Sequence, residues 1–114
     1  MMSKDLCFKI IKKPSLNKVR EFKDSYYEEV INYTFFLIRY LDFAEEFITK
    51  NCENLDDANF YISDRNIEKL IKISKQKIQE EKEEYNNEIM VEFIKYLENL
   101  KLQSHEVLTV NLDC

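Results

Sequence analysis

The apolar positions along this chain change their spacing three times. Leu6, Phe8 and Ile10 alternate with Cys7, Lys9 and Ile11, a two-residue period that predicts an extended segment within residues 1–13. Pro14 closes it, because proline lacks an N–H and pushes its predecessor toward extended geometry. Ser15 is a candidate cap for a short helix after it. From residue 25 to residue 50 the spacing shifts to three and four. Val30, Leu37, Leu41, Ala44 and Ile48 form one stripe, Tyr33, Phe36, Tyr40, Phe43 and Phe47 a second, and Ile31, Phe35 and Ile38 a third. Ser25 followed by Glu28 reads as a capping box, and Asn51 as a stop. The pattern predicts a first long helix over 25–50, apolar nearly all round at its middle. Such a helix lies at the centre of a bundle or shares a face with another chain.

Residues 51–62 read as a connection, with either one helical turn over Leu55 to Tyr61 or a short strand over Asn59 to Ile62. Ser63 or Asp64 caps a second helical segment over 63–103, whose stripe runs through Ile67, Leu70, Ile71, Ile78, Tyr85, Ile89, Phe93, Tyr96 and Leu100. Asn86-Asn87 either interrupts it, giving two antiparallel halves, or is carried through. Leu108, Val110 and Leu112 return to alternation, so 106–112 is a candidate terminal strand able to pair with the N-terminal one. The expected fold is therefore mainly α: one domain over 1–114, an antiparallel bundle of three to four helices, with a small β pair from the two terminal segments as an added option.

Composition pushes the same way. The 114 residues include no glycine and one proline, which disfavours folds built on tight hairpin turns. Ile, Lys, Asn, Tyr and Phe supply 51 residues, the signature of an AT-rich gene and so of a bacterial, phage or viral source. The three cysteines, Cys7, Cys52 and Cys114, are odd in number and far apart, without a CxxC pair. With no signal-peptide pattern at the start, the expectation is a reducing, cytoplasmic setting. The longest near-apolar run, Tyr33 to Phe43, contains Arg39 and Asp42 and is too short to span a bilayer.

Charge is polarised. Residues 1–23 carry a net +5, and residues 24–64 a net −8, within a chain of net −5. The basic start invites a nucleic-acid reading, but arginine is scarce and the total is negative, so direct nucleic-acid binding is disfavoured. No catalytic or cofactor pattern emerges. His105 is the single histidine, with no Glu-x-x-His and no phosphate-binding glycine loop anywhere. The carboxylate pairs read first as solvated helix faces. No enzyme activity, metal or cofactor is expected.

The remaining candidate chemistry is tyrosine beside carboxylate. Tyr26, Tyr27, Glu28, Tyr40, Asp42, Glu45, Glu46, Glu53, Asp56, Asp57 and Tyr61 fall in the acidic segment. Tyrosine is favoured at interface hot spots and carboxylates steer basic partners, although aromatics are more often core and acids more often solvated. The expected function is a non-enzymatic, stoichiometric inhibitor of a basic protein, in the manner of an immunity protein or antitoxin, with a toxin or nucleic-acid enzyme as partner. A phage or viral anti-defence protein fits the same features. The competing expectation is a self-associating adaptor, a homodimer through the first long helix with the Tyr33, Phe36, Tyr40, Phe43 and Phe47 stripe at its seam.

Overall fold

The computed structural model describes residues 5–13, 30–37, 41–56, 58–80 and 87–112. These form five strands and three helices: β1 (Asp5–Lys12), β2 (Val30–Leu37), α1 (Asp42–Asn51), β3 (Glu53–Asp56), β4 (Asn59–Ile62), α2 (Asp64–Glu80), α3 (Asn87–Glu98) and β5 (Glu106–Asn111). The strands make one antiparallel sheet in the order β2-β1-β5-β4-β3. This is an α/β fold. The expectation of a mainly α, three- to four-helix bundle is wrong.

The error lies in the first predicted helix. Val30–Leu37 is a strand paired residue by residue with β1, from Asp5 opposite Leu37 to Ile10 opposite Asn32. Helix begins only at Asp42. In the run VINYTFFL nearly every position is apolar, so three-and-four spacings occur whichever period the backbone adopts. The residues themselves are β-branched and aromatic, which suits a pleated surface. Likewise, Asn59–Ile62 is the strand alternative and not a helical turn.

The two terminal strands do pair, Cys7 opposite Asn111 through Lys12 opposite Glu106, but they form the middle of the sheet and not an appendage to a bundle. Around them, β4 continues from β5 with Tyr61 opposite Thr109 and Ile62 opposite Leu108. Polar cross-links fix this register. Asn111 Nδ2 donates to Asn59 Oδ1 at 2.9 Å, and Thr109 Oγ1 donates to the Lys9 carbonyl at 3.2 Å.

Pleating separates two faces. Leu6, Phe8, Phe60, Ile62, Leu108 and Val110 join Ala44 and Ile48 of α1, Ile67 and Leu70 of α2, and Met90, Phe93 and Leu97 of α3 in the main core. On the opposite face Ile11, Leu55 and Val107 form a smaller buried cluster with Tyr61 against it. The second helical segment is two helices. Lys75 on α2 pairs with Glu98 on α3 at 3.0 Å, and Asp64 and Ile67 at the start of α2 line the same cleft as Leu97 and Glu98 at the end of α3, so the two helices run antiparallel. The Asn86 half of the expected break lies outside the described residues, as do the Ser15 cap and the Ser25–Glu28 capping box; α3 starts at Asn87. Ser63 is the cap of α2: the Asn66 N–H donates to its Oγ at 3.3 Å.

Candidate functional site

Helix α1 starts where the buried Leu41 offers its carbonyl to the Ala44 and Glu45 N–H groups, at 2.9 and 3.2 Å. Ala44 and Ile48 point into the core, which turns Asp42 and Glu46 outward and leaves Glu45 half-buried. The helix ends with the Cys52 N–H on the Ile48 carbonyl at 3.0 Å, and β3 begins at the next residue. Exposed Glu53 therefore stands at the start of β3, with Cys52 alone between it and the end of α1. Five carboxylates stand against Lys50 alone between residues 42 and 56. Lys50 donates to Glu46 Oε1 at 2.6 Å, and this bond, with the charge of Lys50 and of Lys77 on α2, holds the Glu46 carboxyl below its ordinary range.

The structure divides the sequence-predicted site. Asp42, Glu45 and Glu46 ride on α1, over the helix-covered face. Tyr61 lies on the other face, packed against Ile11, Leu55 and Val107, with Glu53 directly opposite it in the β3–β4 register. Asp56 lies on β3 opposite Asn59. Tyr26, Tyr27, Glu28, Tyr40 and Asp57 lie outside the described residues. The result is an acidic corner at the β3 end of the sheet, with Tyr61 at its margin as a half-buried ring.

The aromatic stripe expected at a dimer seam is not one surface. Phe36 belongs to β2 and Phe43 and Phe47 to α1, and all three pack against the main core. At the β2 end of the sheet, Phe8, Phe36, Phe93 and Tyr96 interlock with ring centroids 5.3 to 6.1 Å apart. Burial pushes the Tyr96 hydroxyl up to about 12, an effect the nearby Thr34 side chain partly offsets. The hydroxyl has no partner in hydrogen-bonding geometry. Beside this cluster a cleft of about 730 Å³ opens between β2 and α3, with Ile10, Thr34 and Phe36 on one wall and Ile89, Tyr96 and Leu100 on the other. Phe35 is 59% exposed on the same strand. Sequence reasoning missed this edge because it placed these residues on a helix.

His105 sits exposed in the turn before β5, where its carbonyl accepts the Lys13 N–H at 2.7 Å. Cys52 is a free thiol whose pKa burial raises to about 11, against a smaller lowering by Asn66. Cys7 is disulfide-bonded, which its distance in sequence from the other cysteines did not suggest. Among the described residues no group of three or more His, Cys, Asp or Glu side chains is placed to hold a metal ion, and no helix is long and apolar enough to cross a membrane. Comparisons with protein-family models, curated proteins and solved structures found no match.

Proposed function

We propose that this chain is a non-enzymatic protein-binding module that captures a basic protein at its acidic corner. The observation that supports the reading is the passage from α1 into β3 with Cys52 alone between them, which sets exposed Asp42 and Glu46 on the helix and exposed Glu53, beside Tyr61, on the far face of the adjoining strand. Carboxylates arranged this way accelerate encounter with a positive surface and fix its orientation. Glu53 beside the half-buried Tyr61 adds a ring that a partner can cover at modest entropic cost. A stoichiometric inhibitor of a toxin or a nucleic-acid enzyme, of bacterial or phage origin, needs these features and no chemistry of its own. An anti-defence protein would use the same border.

The test is co-expression with the product of the adjacent gene, followed by purification of the pair and titration calorimetry. A one-to-one complex that weakens with salt, and weakens at least tenfold in the Asp42→Lys, Glu46→Lys, Glu53→Lys triple variant, supports the reading. A complex indifferent to salt and to that variant overturns the site. Absence of any complex, with no protection of cells against the neighbouring product, overturns the function.

A further inference from the structure

We propose that two copies of this chain join through β2, strand against strand around a two-fold axis, to form one continuous antiparallel sheet. The proposal concerns the end of the sheet remote from the acidic corner and does not depend on that corner's role.

The two ends of the sheet are built differently. At one end β3 is four residues, ENLD, with acidic residues at both ends and a register shift between Asn54 and Asp56. Short length, charge and a bulge are the devices that keep an edge strand from pairing with another chain. At the other end, among the described residues, the last strand is β2, eight residues, VINYTFFL, without a single charge. It presents Phe35 at 59% exposure, and the cleft against α3 runs along it. A long uncharged edge is a template for a further strand.

The occupant that fits is a second copy. When a strand pairs antiparallel with itself, a charge near the two-fold axis faces its own kind. VINYTFFL brings no such penalty. The two-fold axis of an antiparallel pair stands perpendicular to the sheet, so both helical layers fall on the same side, and the helix nearest the edge meets its twin running the opposite way. That helix is α3, held over β2 by Phe93 and Tyr96, whose rings lie 5.3 and 5.7 Å from that of Phe36. Its exposed charges are Glu88, Glu92, Lys95 and Glu98, with Val91 among them and Lys101 just beyond its end. Glu98 is drawn toward α2 by Lys75 at 3.0 Å, so along the side that lines the cleft against β2 the order is Glu92, Lys95, Lys101, acidic first and basic last. Two such helices side by side and antiparallel set the acidic start of each against the basic end of the other. The charge order of α3 is thus complementary to itself under the symmetry that β2 pairing would impose.

Sedimentation velocity on the full chain across a dilution series, up to ~100 μM so that a micromolar contact is saturated, reads the outcome. The expected result is a dimer that dissociates on dilution. Phe35→Lys puts a charge on the exposed edge and is expected to raise the dissociation constant at least tenfold with an unchanged thermal midpoint. Glu53→Lys at the opposite edge is expected to leave the dimer intact. Glu92→Lys and Lys95→Glu are each expected to weaken it, and the double variant carrying both to recover most of the loss, because the exchange restores opposite charges across the axis. A monomer at every concentration overturns the proposal. So does a dimer that Phe35→Lys leaves untouched, one that Glu53→Lys breaks, or one in which the double exchange is as weak as the single variants together.

Discussion

Phe36 of β2 meets Phe93 of α3 edge-on, ring centroids 5.3 Å apart and planes at 81°, and through that contact the outermost strand is fastened to the helical layer. Phe93 is fully buried and also touches Phe8 on β1, so it joins two strands to one helix. Phe93→Ala leaves a cavity that neighbours on three elements cannot all fill. We expect a loss of about 3–5 kcal/mol, a large part of the total for a domain of this size. Phe93→Leu is expected to cost clearly less. Urea denaturation of the two variants, read by circular dichroism, checks both the size and the order.

Tyr96 lies beside that pair with a buried hydroxyl that makes no hydrogen bond. Removing a buried polar group that lacks a partner forfeits no bond and relieves a desolvation cost. Tyr96→Phe is therefore expected to leave stability unchanged or raise it by up to about 1 kcal/mol, while Tyr96→Ala lowers it. A substantial loss in Tyr96→Phe would mean that the hydroxyl is bonded in solution.

The sequence carries the terminal strands plainly, because Leu6, Phe8, Leu108 and Val110 alternate with residues of another face and all four are core. The α2 stripe is equally plain, since exposed Glu68 and Lys69 separate Ile67 from the Leu70-Ile71 pair. Val30–Leu37 is not plain. A strand apolar at six of its eight positions matches helical and extended periods alike, and only its β-branched and aromatic makeup distinguishes them. The lack of glycine also misleads. Among the described residues β3 and β4 are joined by a two-residue link, and the passage from β4 to β5 runs through helices, which need no left-handed residue. The acidic corner is half legible: Asp42, Glu46 and Glu53 are close in sequence, whereas nothing in the spacing shows that Glu53 and Tyr61 turn to the face away from α1.

The cap of α2 offers a local test of why that helix begins where it does. Ser63 Oγ accepts the Asn66 N–H, and the Ser63 carbonyl accepts the Ile67 N–H at 2.9 Å. Asn66 in turn donates from Nδ2 to the Asn51 carbonyl at 3.2 Å, tying the start of α2 to the end of α1. Ser63→Ala removes one amide acceptor and is expected to cost about 1 kcal/mol, and Ser63→Asp to retain most of it. Thermal denaturation of the two variants separates them by several degrees if the cap operates as the geometry indicates.

Alkaline pH should unfold this protein through identifiable groups. Burial raises Cys52 from its ordinary 9.0 to about 11 and Tyr96 from 10.0 to about 12. Both groups are neutral when protonated, and in each the folded state holds its proton more tightly than the unfolded chain does. The native state therefore binds more protons than the unfolded one wherever the pH lies between the two values. There stability falls as pH rises. Their full contribution is present below pH 9 and is lost progressively on the way to 11 for Cys52, and from 10 to about 12 for Tyr96. Cys52→Ala and Tyr96→Phe each remove one ionisation, so each is expected to flatten the alkaline limb of a stability–pH curve, and the double variant to flatten it further. The same shift keeps the free Cys52 thiol protonated at pH 8, so iodoacetamide is expected to label it more slowly in the native protein than in urea. Equal rates in the two states would show that the thiol is neither shielded nor shifted.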